Sequence, residues 1–152
     1  MENNSKKRIA IYIRIGAGSQ ISESVEWQAN YYKDLVSKRP DCVITKIYAD
    51  VGTSGKSKNR YSYKDMIADA EKGEFDYIVV KSLSRFNRDM GDAVQTLQRL
   101  KKNGVGVYLC DEGIDTFSDK YKTVFAILND IAETENRLKA ERRQLKKLLM
   151  KQ

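Results

Sequence analysis

The stretch Ile9–Ile15, with the sequence IAIYIRI, is followed by Gly16-Ala17-Gly18. It is short, mostly apolar and rich in β-branched residues, which is typical of a buried β-strand. The two glycines that follow predict a turn at the carboxyl end of this strand. The order of helices and strands after this turn indicates whether the strand joins a parallel or an antiparallel sheet.

Three more strands are predicted, and a helical segment precedes each of them. The predicted strands are Val43–Tyr48, Tyr77–Val80 and Val105–Leu109. The helical segments are residues 24–39, which Pro40 closes, a segment that ends near Gly73, and one that ends at Gly104. This alternation predicts an α/β fold, a mostly parallel sheet flanked by helices on both faces, with functional loops at the carboxyl ends of the strands. The segment Asp50–Asn59, rich in Gly, Ser and Lys, is predicted to be a mobile loop.

The last part of the chain predicts one long helix, because neither glycine nor proline occurs after Gly113. One stripe of positions three or four residues apart is mostly apolar there, with Glu135 and Arg142 as its two polar members; the apolar ones are Val124, Leu128, Ile131, Leu138, Leu145 and Leu149. A helix over Tyr121–Gln152 would be about 48 Å long, so part of it must project from a domain of this size. We therefore divide the chain into residues 1–118, an α/β domain, and residues 119–152, a helix for dimerisation and nucleic-acid contact. The alternative is a surface helix that frays beyond Leu138.

The net charge of +7, from 28 Lys and Arg against 21 Asp and Glu, is concentrated in the last 16 residues. That segment has one acidic residue and a net charge of +6, which predicts contact with a polyanion. Its basic residues are Arg137, Lys139, Arg142, Arg143, Lys146, Lys147 and Lys151. The remainder of the chain is nearly neutral.

The composition excludes several kinds of chemistry. The chain has no histidine and only two cysteines, which excludes His-Cys zinc sites, His-containing triads and imidazole acid/base catalysis. Apolar runs do not approach the ~18 residues that a membrane span needs, and residues 1–8 are too polar for a secretory signal. A cytoplasmic protein without a membrane partner is expected.

Four arginines are predicted to converge at one edge of the sheet. The segment Lys81–Asp89 directly follows a buried strand, and Arg85 and Arg88 are three residues apart within it. Arg14 ends the first strand, and Arg60 follows the glycine-rich loop. Guanidinium groups bind phosphate oxygens in a bidentate manner and keep their charge at any working pH, so this pattern predicts a phosphate site.

Two nucleotide-binding motifs are matched only in part. The sequence after the first strand lacks the third glycine of a dinucleotide fingerprint, because Ile21 stands there, although Asp50 could bind a ribose. Residues 52–57, GTSGKS, lack the first glycine of a P-loop, whose place is taken by Asp50. A nucleotide-binding, flavodoxin-like domain is therefore the weaker alternative.

Five ordered blocks resemble the catalytic domain of the serine recombinases, the resolvase/invertase family, and are closest to its large integrases and transposases. The blocks are Tyr12–Gly16, Gln20 with Gln28, Tyr48–Gly55 with Asn59 and Arg60, Lys81–Arg88 and Ala132–Arg137. The resemblance implies site-specific DNA cleavage and rejoining through a phosphoserine, without metal or nucleotide cofactor. Such enzymes act on double-stranded DNA as homodimers that form a tetramer in the synaptic complex.

The resemblance also implies roles for particular residues. Arg14, Arg60, Arg85 and Arg88 would contact the scissile phosphate, with Lys81 and Gln28 in support. Ser84 stands where small resolvases tend to have an aspartate and large ones a serine. A further DNA-binding region is expected to follow the long helix in large family members.

The family's nucleophilic serine corresponds to Gly16, and the threonine that usually follows it corresponds to Ala17. Glycine has no nucleophile, and three explanations are open. The chain is a diverged, inactive relative that still dimerises and binds DNA, or it carries an active-site substitution, or Ser19 replaces the missing hydroxyl. The last requires a displacement of three residues, and a misplacement of even ~1 Å can cost about 100-fold in rate.

Overall fold

The computed structural model describes residues 5–16, 24–52 and 60–150. The strands in this part of the chain are β1 (Lys7–Ile15), β2 (Cys42–Val51), β3 (Tyr77–Val80), β4 (Gly106–Leu109) and β5 (Ile114–Asp115). The helices are α1 (Val25–Ser37), α2 (Tyr61–Glu71), α3 (Leu83–Phe86), α4 (Met90–Lys102) and α5 (Tyr121–Met150). The predicted alternation of strands and helices, and the long C-terminal helix, are confirmed.

The five strands form one sheet in the order β2-β1-β3-β4-β5. The first four strands are parallel, and β5 pairs with β4 in the antiparallel direction. From β1 the chain adds β2 on one side, and then β3 and the later strands on the other side. The direction in which strands are added therefore changes at β1. In open α/β sheets a crevice forms at such a point, outside the carboxyl ends of the strands. The ends of β1 and β3 therefore flank the crevice.

Helices cover both faces of the sheet and produce two apolar layers. Ala10 and Tyr12 of β1 point into the layer that contains residues of α2 and α4. Ile11 and Ile13 point into the opposite layer, which contains residues of α1. Both faces of β1 are buried, which explains why its sequence is continuously apolar instead of alternating.

The long helix α5 packs its first half against its own domain. Tyr121 and Ala132 are buried, and Leu128 packs against the layer of α2 and α4. The apolar stripe predicted from sequence is therefore partly used inside the chain, whereas Ile127 and Ile131 remain exposed. From Glu133 to Met150 all side chains are exposed, and the helix stays regular well beyond Leu138. Within the described residues no helix combines the length and the apolar character that crossing a membrane requires.

Several element boundaries differ from the sequence prediction. Strand β2 extends to Val51, so Asp50 belongs to a strand and not to the predicted loop. The segment Lys81–Asp89 contains a single helical turn, α3, and neither this turn nor the two-residue strand β5 was predicted. The rest of the predicted mobile loop, residues 53–59, lies outside the described residues.

Truncation of Leu97 on α4 tests the core. This side chain is fully buried between α4 and the sheet. We expect Leu97→Ala to lower the free energy of unfolding by about 2–5 kcal/mol, since it removes apolar contacts and leaves a cavity. The matched change Leu148→Ala, at an exposed position of α5, is expected to stay within about 0.5 kcal/mol. Urea unfolding followed by circular dichroism measures both, and equal effects would contradict this packing.

Candidate functional site

The predicted site residues on three different elements meet at the carboxyl edge of the sheet. Arg14 is the penultimate residue of β1, and Gly16 directly follows that strand. Arg60 is the N-cap residue of α2. Arg85 lies in α3, directly after β3. We call Arg14, Arg60, Arg85 and Arg88 the arginine cluster.

Arg14 is buried at the end of β1 and bonded to the backbone of α3. Its Nε donates to the carbonyl oxygen of Arg85 at 3.3 Å, and its Nη2 donates to that of Ser84 at 3.0 Å. In return, Nη1 of Arg85 donates to the carbonyl oxygen of Arg14 at 3.2 Å. These reciprocal bonds fix the two guanidinium groups next to each other.

Arg60 is buried within an aromatic cage. Its guanidinium carbon lies 3.9 Å from the ring centroid of Tyr63 and 5.5 Å from that of Tyr12. Nη2 of Arg60 donates to the hydroxyl of Tyr12 at 3.0 Å and to the carbonyl oxygen of Phe86. Since Phe86 is the last residue of α3, the backbone of this turn holds both Arg14 and Arg60.

The arginine cluster concentrates positive charge in a partly desolvated place. Burial first, and then the positive charges of Arg85, Arg88 and Arg60, lower the pKa of Arg14 below its usual value. The guanidinium nevertheless stays protonated in proteins. Like charges held this close attract an anion with several oxygens, such as a phosphate diester.

Two residues that support the cluster, Tyr12 and Asp50, were missed as site residues by the sequence analysis. The Tyr12 hydroxyl donates to Oδ2 of Asp50 at 2.8 Å, and burial raises the pKa of this tyrosine. The Asp50 carboxylate also accepts the amides of Ser62 and Tyr63, both at 3.0 Å, at the start of α2. The strand period could have indicated Tyr12, because it points to the same face of β1 as Arg14.

Asp50 is 6% exposed, and its two oxygens accept three hydrogen bonds. Its carboxylate holds the start of α2, and this structural role accounts for Asp50 without a ribose. The glycine-rich parts of both nucleotide motifs, including Gly18, Ile21 and residues 53–57, lie outside the described residues.

Gly16 has room for a larger residue. A Cβ atom built on Gly16 meets no neighbouring atom within 4 Å. Its φ also lies outside the left-handed region that favours glycine. Neither space nor backbone conformation therefore requires glycine at this position.

The remaining predicted site residues vary in exposure. Lys81, Ser84 and Arg88 are exposed, whereas Gln28 is half-buried on α1. Ser19 lies outside the described residues. The predicted DNA-binding residues are all exposed on the second half of α5, away from the arginine cluster in sequence; they are Arg137, Lys139, Arg142, Arg143, Lys146 and Lys147.

Comparison with known proteins agrees with this arrangement. The family model "Resolvase, N terminal domain" matches residues 9–151. The chain belongs to the resolvase/serine recombinase family. This membership confirms the resemblance drawn from the five sequence blocks, and it covers both the α/β domain and the long helix.

Individual relatives of this resolvase-family chain are moderately similar to it. It is 33% identical to the Transposon Tn3 resolvase of Escherichia coli over 135 residues, which are 89% of this chain and 67% of the relative. A resolvase family site-specific recombinase from Streptococcus pneumoniae has a similar structure, with a TM-score of 0.79, 30% identity, and coverage of 96% of this chain and 98% of that one. The N-terminal catalytic domain of TP901-1 integrase gives a TM-score of 0.69 at 28% identity, with coverage of 87% and 98%.

Removal of the Tyr12 hydroxyl tests the support of the arginine cluster. Tyr12→Phe leaves Asp50 and Arg60 each short of one partner in a buried place. We expect the free energy of unfolding to fall by about 1–3 kcal/mol. Tyr31→Phe, which removes a hydroxyl from an exposed side chain of α1, is the matched control and is expected to have no effect. Urea unfolding measures the difference, and a Tyr12→Phe variant as stable as the parent would refute this role.

Proposed function

We propose that this chain is the catalytic domain of a site-specific DNA recombinase, in which the arginine cluster binds the phosphate at the point of strand exchange. The observation that carries this proposal is the convergence of Arg14, Arg60 and Arg85 around one helical turn beside Gly16. Fixed guanidinium groups stabilise the charge that develops on phosphate oxygens, and they do so without reorganisation during the reaction. Membership of the resolvase family supports the same activity.

The proposed reaction needs a hydroxyl nucleophile next to this cluster. A serine Oγ attacks the phosphorus, the Oγ–P bond forms, and the P–O3′ bond breaks. The serine proton is lost, and the departing 3′ oxygen takes up a proton. The phosphoserine conserves the bond for the reverse attack by another 3′ hydroxyl, so neither a metal nor a nucleotide cofactor is needed for energy.

Position 16 is the place where that hydroxyl is missing. Lys81 and Gln28 would assist phosphate binding, and Ser84 would line the same edge. A second function is favoured by Gly16 itself: an inactive module of the same fold that binds DNA and assembles without cleaving it. Ser19 as a replacement nucleophile is the third and weakest possibility.

The proposed partners are double-stranded DNA and further copies of the chain. The six exposed basic residues of α5 are separated from the arginine cluster and are suited to DNA phosphates on either side of the exchange point. Exposed Ile127, Ile131 and Leu138 on α5 favour a homodimer, two of which would form the synaptic tetramer. A projecting helix that carries both basic residues and exposed apolar residues can couple DNA binding to the association of subunits.

Gly16→Ser is the decisive test of the proposed chemistry. We expect this variant to form a covalent protein–DNA adduct, whereas the parent and Gly16→Ala form none, because only serine supplies the hydroxyl. Supercoiled plasmids that carry the DNA flanking the gene serve as substrate. The adduct is detected as DNA that resists denaturing detergent and is freed by protease.

Further variants separate the alternatives. Arg85→Lys in the Gly16→Ser background is expected to lower the adduct rate about 100-fold, since it removes a positioned donor. An adduct from the unaltered chain, abolished by Ser19→Ala, would favour the third possibility. A folded, DNA-bound Gly16→Ser variant without adduct would refute the proposed catalytic site.

The salt dependence of DNA affinity tests the role of α5. We expect Arg142→Ala with Arg143→Ala to reduce the slope of log affinity against log salt by about 2, because two phosphate contacts are lost. Lys72→Ala with Lys102→Ala removes the same charge from the exposed C-cap residue of α2 and the exposed last residue of α4, and is expected to leave the slope unchanged. Fluorescence anisotropy with labelled duplex DNA measures both, and equal slopes for the two variants would contradict the assignment.

A further inference from the structure

The turn between β4 and β5 is held beside α3 by the sheet itself. The amide of Cys110 donates to the carbonyl oxygen of Val80 at 3.0 Å, and the amide of Asp111 donates to that of Lys81 at 2.8 Å. The parallel pairing of β3 and β4 thus continues past the ends of both strands. The next residue, Glu112, is thereby brought to the amino end of α3.

Glu112 caps this helical turn. Both of its carboxylate oxygens accept the amide of Leu83, the first residue of α3, at 3.2 and 3.3 Å. The first amides of a helix have no partner within the helix, and negative charge is favoured there. The hydroxyl of Ser82 accepts a second amide of the turn, that of Arg85, at 3.3 Å.

The turn that Glu112 caps has little stability of its own. Four residues form α3, and its i to i+4 bonds are those from Phe86 to Ser82 and from Asn87 to Leu83. A single turn is unfavourable in isolation, because several dihedral angles are fixed for few hydrogen bonds. Contacts from outside the turn must therefore determine its position.

The backbone of α3 in turn determines where the buried arginines lie. Arg14 is held by the carbonyl oxygens of Ser84 and Arg85, and Arg60 is held by that of Phe86. A shift of α3 moves these acceptors together, and the guanidinium groups move with them. Glu112 is thus connected to the arginine cluster through the backbone of α3.

We propose that Glu112 is a positioning residue of the arginine cluster, acting through α3 and not by contact with DNA. The functional consequence rests on the proposed recombinase activity. The structural part, that Glu112 fixes Arg14, can be measured without DNA and without a nucleophile at position 16.

Nuclear magnetic resonance of arginine side chains measures the structural part in the full chain. The Nε–H of Arg14 is buried and bonded to a carbonyl oxygen, which slows its exchange with solvent hydrogen. We expect Glu112→Ala to accelerate this exchange at least about tenfold, since loosening α3 opens that bond. Glu112→Gln keeps an oxygen acceptor for the Leu83 amide and is expected to restore slow exchange.

Two controls separate positioning from charge and from general stability. Asp111→Ala removes the same charge from the same turn and is expected to leave Arg14 exchange unchanged. The Nε–H of Arg8 bonds to Asp76 at the opposite edge of the sheet, and its exchange is expected to be the same in all variants. Faster hydrogen exchange at both Arg14 and Arg8 would show that the whole domain is less stable, and would overturn the proposal.

The adduct assay measures the functional part. In the Gly16→Ser background we expect Glu112→Ala to lower the adduct rate about 100-fold, the cost of a misplacement of about 1 Å, with less than a twofold change in DNA affinity. Unchanged Arg14 exchange in Glu112→Ala, or an unchanged adduct rate, would overturn the positioning role. If Gly16→Ser itself forms no adduct while Arg14 exchange responds as expected, the recombinase proposal fails and the structural role of Glu112 stands.

Discussion

Two buried guanidinium groups depend on the backbone of one helical turn, and this constraint joins the sheet to the site. Arg14 enters from the end of β1 and Arg60 from the start of α2, and both donate to carbonyl oxygens of α3. Burial of a charge is costly unless its donors are satisfied, so these bonds are needed for the fold as well as for the site. The arginines therefore bind α3 to the sheet while α3 holds the arginines in place.

Carbonyl acceptors satisfy N–H donors without cancelling their charge. Burial first, and then the positive charges of Arg85, Arg88 and Arg60, lower the pKa of Arg14. The nearby carboxylate of Asp50 is bonded to the hydroxyl of Tyr12 and to the amides at the start of α2. The hydroxyl of Tyr12 lies between this carboxylate and Arg60, so Asp50 supports Arg60 through the hydroxyl of Tyr12. Arg60 and Asp50 are therefore held in one hydrogen-bonded network with the start of α2.

The sequence predicted those parts of the structure that depend on local pattern and on the general properties of parallel sheets. Buried strands produce continuous apolar runs, and the carboxyl ends of parallel strands meet, so the fold class and the meeting of Arg14 with Arg85 were predictable. Asp50 begins a segment rich in Gly, Ser and Lys, which is typical of a loop, whereas its burial depends on Tyr12 and on the start of α2. The burial of Tyr121 and Ala132 likewise required the position of α4, which periodicity alone does not give.

Gly16 is a position at which the side chain can differ without disturbing the fold around it. The position has room for a side chain and an ordinary backbone conformation, so the glycine relieves no strain that serine would introduce. The bonds that join Arg14 and Arg60 to α3 do not require a side chain at position 16. The arginine cluster, by contrast, cannot be lost without leaving buried donors or acceptors unsatisfied. A change of side chain at position 16 therefore costs the fold little, whereas loss of the buried Arg14 or Arg60 would cost it much. Under the proposed function, a chain with glycine at position 16 keeps the arginine geometry and lacks only the hydroxyl.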